Sequence, residues 1–159
     1  MAKSGIWVLA GFIVLSLLAG ALGSVFTFQS IPTWYASLQK PSFTPPSWVF
    51  GPVWTVLYIL MGSAAYLVYE KGVKNKEVRS ALEVFGIQLA LNAAWSIAFF
   101  GLRSISGGLV IIVLLWLSII WTMALFWNLS RNAALLLPPY ILWTSFAALL
   151  NLSVLLLNH

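Results

Sequence analysis

Five nearly uncharged stretches, each long enough to cross a bilayer, take up most of this chain. They run from about Gly5 to Thr27, Ser47 to Tyr69, Ser80 to Leu102, Ser106 to Leu129 and Ala133 to Leu157, and only one of them carries a charge, Glu83. A helix of about 20 apolar residues covers the roughly 30 Å of hydrocarbon in a membrane. Backbone polar groups find no water there, so a spanning segment must close its hydrogen bonds within a helix or a closed barrel. Unbroken apolar runs, rather than ten-residue alternations, exclude the barrel. The expected fold is an all-α integral membrane protein. It is a five-helix bundle forming a single domain over residues 1–159, with a long ordered loop, 28–46, between the first two helices.

Composition agrees. Hydrophobic residues make up 62% of the chain and charged residues 7%, too little polar surface to cover a water-soluble fold. Lys3, Lys71, Lys74, Lys76, Arg79 and Arg131 fall on one side of the bundle, and Lys40 and Arg103 on the other. The positive-inside rule then puts the N-terminus in the cytoplasm and the C-terminus outside, in a multi-pass protein expected in a prokaryotic cell membrane. These cations read as topology determinants and contacts to anionic membrane lipids, not as a nucleic-acid surface. The chain has no cysteine and no aspartate, and its only histidine is His159. A Ser-His-Asp triad, a thiolate metal site or a paired-histidine haem site cannot be assembled from such a set. No metal site and no required cofactor are expected.

The segment from Phe28 to Pro46 combines aromatic residues with Pro32, Pro41, Pro45 and Pro46. Prolines restrict its backbone, and loops of this length in compact domains are often lids. A spacer lying on the headgroups and a structured cap over the bundle both fit; the cap is favoured. Thr44-Pro45-Pro46 is a start signal for the second helix. Pro52 in the second helix and Pro138-Pro139 in the fifth are expected to kink their spans and border a cavity.

The third helix carries two opposed stripes. Gln88, Asn92 and Ser96 recur every four residues with Trp95 beside them, and amides facing lipid are costly, so this face must point into protein or a wet cavity. Gly86, Ala90, Ala94 and Ala98 recur on the far side, a small-residue face that suits either a neighbouring helix or, as favoured here, the subunit contact of a homodimer. At about 1.5 Å of rise per residue, Trp54, Asn92 and Ala147 fall roughly 9–12 Å below the outer surface, with Trp143 near mid-bilayer. Tyr58 follows Trp54, and Ala147 and Asn151 follow Trp143, at intervals of four. Aromatic, amide and small side chains of three helices thus meet at one level: an apolar pocket with a few polar handles and an aromatic lid. Trp7, Trp34, Trp48, Trp121 and Trp127 suit the membrane interfaces; Trp54, Trp95, Trp116 and Trp143 lie deeper.

At these residues the chain resembles the TspO/MBR family, the tryptophan-rich sensory proteins and the translocator protein or peripheral benzodiazepine receptor. The matching segments are WYASLQKPSFTPPSWVFGPVWTVLY from Trp34, QLALNAAWSIAFFG from Gln88 and PYILWTSFAALLN from Pro139. The resemblance implies a ligand cavity closed by the first loop, with porphyrins (protoporphyrin IX, haem), sterols and synthetic drug-like molecules as ligands. It places pocket residues on Tyr35, Trp54, Asn92, Trp143 and Ala147, a lid shaped by Pro45 and Pro46, and a homodimer. One pattern departs: the sterol motif of animal members needs a Lys or Arg soon after the tyrosine, and Tyr140 is followed by Ile-Leu-Trp-Thr-Ser.

Three functions follow. The first is a membrane receptor or sensor that binds, and could transport, porphyrins in the capped pocket, with Lys40 in reach of ligand carboxylates. The second is light-dependent porphyrin degradation, for which Trp54 and Trp143 would be the reactive side chains. The third, ion-coupled drug export, would need a mid-membrane carboxylate. Glu83, in the first turn of its expected helix, does not provide one.

Overall fold

A computed structural model describes residues 3–158, with side chains from Gly5 onward; His159 lies outside the described residues. Six helices follow in order: α1 (Lys3–Ser30), α2 (Phe50–Tyr69), α3 (Lys76–Ser96), α4 (Ile105–Leu129), α5 (Arg131–Ala134) and α6 (Pro138–Leu157). They make five apolar spans, Gly5–Tyr35, Ser47–Tyr69, Lys76–Gly101, Ile105–Leu129 and Arg131–Leu157. The expected five-helix membrane bundle is the fold observed.

The helices close into a ring, with α1 packed between α2 and α3, α4 between α3 and α6, and α5 joining α4 to α2. Tyr140, Phe85, Phe126, Met61 and Ile112 are fully buried at its centre. Start signals are local. The Asn75 side chain accepts from the Glu77 N–H at 2.9 Å, and Ser104 Oγ from the Gly107 N–H at 3.1 Å, each satisfying a donor that the first helical turn leaves free. Asn75 therefore starts α3 four residues earlier than the apolar run suggested. Glu83 moves into the second turn, exposed on the bundle's surface.

Two glycines set how closely α1 and α2 approach. A Cβ on Gly62 would lie 2.6 Å from the Ile13 Cα, and one on Gly20 would lie 2.2 Å from the Tyr58 ring. Nothing larger than hydrogen fits at either crossing without separating the helices.

Three expectations change. The loop expected over 28–46 is shorter, because α1 continues through a π-helical turn, Ile31–Tyr35, to Ser37. Pro32 sits inside this helix. A proline removes an N–H and crowds the preceding turn; the wider turn relieves the crowding, and Thr33 Oγ1 donates to the Gln29 carbonyl at 2.9 Å. Pro52 does not kink α2, since it falls in the first turn, just after the short 3-10 segment Ser47–Val49. Nor do Pro138 and Pro139 kink a continuous fifth helix. They open α6 after a break at Leu135–Leu137, so this span is two helices.

Candidate functional site

The polar stripe of α3 faces inward, with Gln88, Asn92 and Trp95 buried. Its amides anchor a chain of hydrogen bonds across three helices. Tyr58 Oη on α2 donates to Asn92 Oδ1. Asn92 Nδ2 donates to Tyr140 Oη on α6 at 3.0 Å, and Tyr140 Oη donates to Gln88 Oε1 at 2.7 Å. The Gln88 amide ends the chain on the thioether of Met61, 3.8 Å away. Each member is a partner for the next, which is how amides and phenols become tolerable in an apolar interior. A second tie links Trp95 Nε1 to Asn151 Oδ1 at 3.2 Å, while Asn151 Nδ2 donates to the Ile105 carbonyl at 2.9 Å.

Above this network lies a cavity of about 370 Å³. Its walls come from α1 (Gly20, Ser24, Tyr35), α2 (Phe50, Trp54, Tyr58), α3 and its π-helical extension Ile97–Gly101 (Asn92, Trp95, Phe99, Phe100) and α6 (Ala147, Leu150, Asn151). Trp54 is the central ring. It stacks on Tyr58 at 5.7 Å between centroids and lies 6.2 Å from Tyr140 and 6.3 Å from Trp95. The π-helical turn in α3 is closed by the Leu102 N–H donating to the Ile97 carbonyl at 2.8 Å, and Phe99 and Phe100 both reach the cavity. Among the described residues no charged side chain lines it. The arrangement offers flat apolar faces with amide and hydroxyl groups between them, suited to a planar ligand rather than to proton transfer.

Tyr35, Trp54, Tyr58, Asn92, Trp95 and Ala147 are thus brought to one cavity. Trp143 is not. Its ring packs 5.8 Å from Phe50 and 5.4 Å from Phe146, and it lines a shallow outer groove with Pro52 and Pro139 instead. Pro45 and Pro46 do not line the cavity either. The loop drops along α6, with Phe43 6.3 Å from Phe146. The roof is built by α1 and α3: Tyr35 lies 5.6 Å from Phe100, and Trp34, expected at the interface, packs 5.6 Å from Phe99.

Lys40 is also committed elsewhere. Its ammonium donates to the carbonyls of Tyr35 and Leu38, each at 2.8 Å, and sits 4.9 Å from the Tyr35 ring centroid. It caps the C-terminal end of α1, where cations are favoured by the helix dipole, so it is not a free partner for ligand carboxylates. Sequence reasoning missed Tyr140, Phe99 and Phe100 as residues of this site. Tyr140 follows the proline pair that starts α6, and both phenylalanines lie in a π-helical turn that periodicity does not reveal.

On α3, Gly86 and Ala90 are exposed and Ala94 is half-buried, whereas Ala98 is buried. A Cβ on Gly86 would touch nothing within 4 Å. The small stripe therefore faces outward over its first half only.

Fold and cavity together define a small polytopic membrane protein with an uncharged, aromatic-walled chamber inside its helical ring. The chain belongs to the TspO/MBR family, which it matches over residues 12–157. It is 49% identical to the tryptophan-rich protein TspO of Chlorobaculum tepidum over 94% of this chain and 95% of that one. It is 47% identical to the tryptophan-rich protein TspO of Archaeoglobus fulgidus, over 91% of this chain and 94% of the relative. The human translocator protein is 41% identical, over 96% of this chain and 92% of its own length. Membership and the five apolar helices make this an integral, multi-pass membrane protein.

Proposed function

We propose that this protein is a membrane receptor or sensor that binds porphyrins, protoporphyrin IX or haem, in the cavity around Trp54. The supporting observation is the cavity's chemistry: stacked and tilted aromatic rings, two buried amides and no charge among the described residues. Relatives named tryptophan-rich sensory protein and translocator protein fit a ligand-responsive role in the membrane. Sterols and drug-like molecules share the required flatness and apolarity, and are secondary ligands in this reading. The protein works as a homodimer through Gly86, Ala90 and Ala94, with its basic ends in the cytoplasm and the 38–46 loop outside.

A second reading, light-driven porphyrin degradation, is favoured by one feature: Trp54 sits among Tyr58, Trp95 and Tyr140, all oxidisable rings close to the space a porphyrin would fill. In it, Trp54 would donate an electron to the excited ligand, and Trp143, set outside the cavity, would matter little.

The test is a protoporphyrin IX titration of nanodisc-embedded protein, read by tryptophan quenching in darkness and then under light. Saturable binding weakened about tenfold by Trp54→Ala supports the receptor reading, a change of about 1.4 kcal/mol. Trp143→Phe is expected to leave the affinity within about twofold. Absence of saturable binding overturns the porphyrin assignment. Product formation that needs light and is lost in Trp54→Phe would promote the second reading.

A further inference from the structure

The cavity is closed at its two ends and open at one side. At its base Gly20 lies against the Tyr58 ring, and further down Gly62 meets the backbone of Ile13. At its top Tyr35, Phe99 and Phe100 interlock with centroids 4.8–6.2 Å apart, held by Lys40 on the carbonyls of Tyr35 and Leu38. Between these closures a gap is left along the α1–α2 seam, where residues of both helices line the cavity and are themselves exposed. Ala21 and Phe28 on α1, and Gly51 and Thr55 on α2, line the cavity and are also exposed on the outside of the protein. Phe28 is 73% exposed. All four lie within membrane spans, so the medium outside this gap is lipid.

We propose that the gap between α1 and α2 is the ligand entrance, through which planar ligands dissolved in the bilayer slide sideways into the cavity while their charged groups remain outside. This rests on the porphyrin-binding reading. The gap is chemically suited to such traffic. Ser24 Oγ donates to the Ala21 carbonyl at 2.8 Å and Thr55 Oγ1 to the Gly51 carbonyl at 2.9 Å. The hydroxyls at the mouth are therefore satisfied within their own helices, and an apolar ring passes without breaking a hydrogen bond. A carboxylate taken through would find no charged partner inside and would lose its solvation. It therefore stays at the mouth, and the entrance selects for a ligand with its charges on one edge. Entry from the aqueous end would instead require unlocking the aromatic roof and its lysine cap.

Gly51 supplies the probe, because it lines the mouth and a Cβ there meets nothing within 4 Å; Gly11 is equally open and does not line the cavity. Protein in nanodiscs is mixed with phosphatidylcholine vesicles carrying protoporphyrin IX, and association and dissociation are followed by tryptophan quenching. Gly51→Phe is expected to slow both association and dissociation at least tenfold, and Gly11→Phe to change neither rate. Equal rates in the two variants would overturn the entrance. A second measurement needs no ligand. The chain has no cysteine, so a nitroxide on Ser24→Cys reports from the mouth alone. Relaxation by molecular oxygen exceeding that by an aqueous nickel chelate is expected, and the reverse order would place the opening in water and overturn the proposal. If the unaltered protein fails to bind protoporphyrin IX, the porphyrin reading falls, while the label still decides where the cavity opens.

Discussion

Tyr140 is the residue on which the buried network turns, because its hydroxyl both accepts from Asn92 and donates to Gln88. Tyr140→Phe strands two buried amides at once, and each buried polar group left unpaired costs about 1–3 kcal/mol. Tyr58→Phe strands only the Asn92 oxygen. Thermal unfolding in detergent is therefore expected to show a larger fall for Tyr140→Phe, with about 2–4 °C for each kcal/mol lost in a chain of this size. Equal midpoints for the two variants would contradict the bonding described. Asn92, Trp54 and Trp95 were legible in the sequence because an amide, or an indole at membrane depth, must point away from lipid, and helical spacing then fixes which face does so. Tyr140 and Trp143 were not. Tyr140 stands just past the break that opens α6, and Trp143 shares a face with Ala147 and Asn151 but packs on Phe50 and Phe146, contacts that spacing along one helix does not give. Lys40 was read by charge alone, whereas the carbonyls at the end of α1 hold it.

At the scale of elements, three prolines expected to break spans, Pro52, Pro138 and Pro139, instead sit at helix starts, and Pro32, which lies inside a helix, was assigned to a loop. Composition gives a proline's constraint but not the remedy, which here is a wider turn, with the Thr33 hydroxyl on the neighbouring Gln29 carbonyl. Four of the five spans were legible to within a few residues, since hydrophobic length is dictated by the bilayer, while the first runs to Tyr35, well past Thr27; the π-helical turns were not legible, since they differ from α-helix by one residue and leave no trace in periodicity. The α1–α2 crossing makes its own prediction. Gly62→Leu drives a side chain into the backbone of Ile13, and overpacking of this kind costs about 1–3 kcal/mol. It should lower the unfolding midpoint, whereas Gly11→Leu, where a Cβ meets nothing within 4 Å, should leave it unchanged. If α3 carries the subunit contact, Gly86→Leu with Ala90→Leu should convert dimer to monomer by light scattering in detergent. A dimer unaffected by the pair would place the contact elsewhere.

The whole molecule is held in the membrane by apolar length and oriented by few charges. Replacing Lys71, Lys74, Lys76 and Arg79 with glutamine leaves Lys3 and Arg131 on one side against Lys40 and Arg103 on the other, two against two. Orientation should then become mixed, since the Lys/Arg bias between loops sets topology. A reporter fused to either terminus and scored for cytoplasmic or external activity would check this, and an unchanged single orientation would show that the apolar helices alone fix it.

One contact bears on how the molecule is made. The Asn158 side chain accepts from the Gln39 N–H at 2.9 Å and donates to the Gln39 carbonyl at 2.8 Å, across 119 positions. During synthesis α1 and α2 can insert and cross early, but the segment after α1 has no anchor at this point until residue 158 has left the ribosome. The segment that follows α1 at Gln39 is consequently fixed here only after the first four spans have been made. A nascent chain stalled short of that residue should expose the 38–46 segment to protease while its first four spans are already protected.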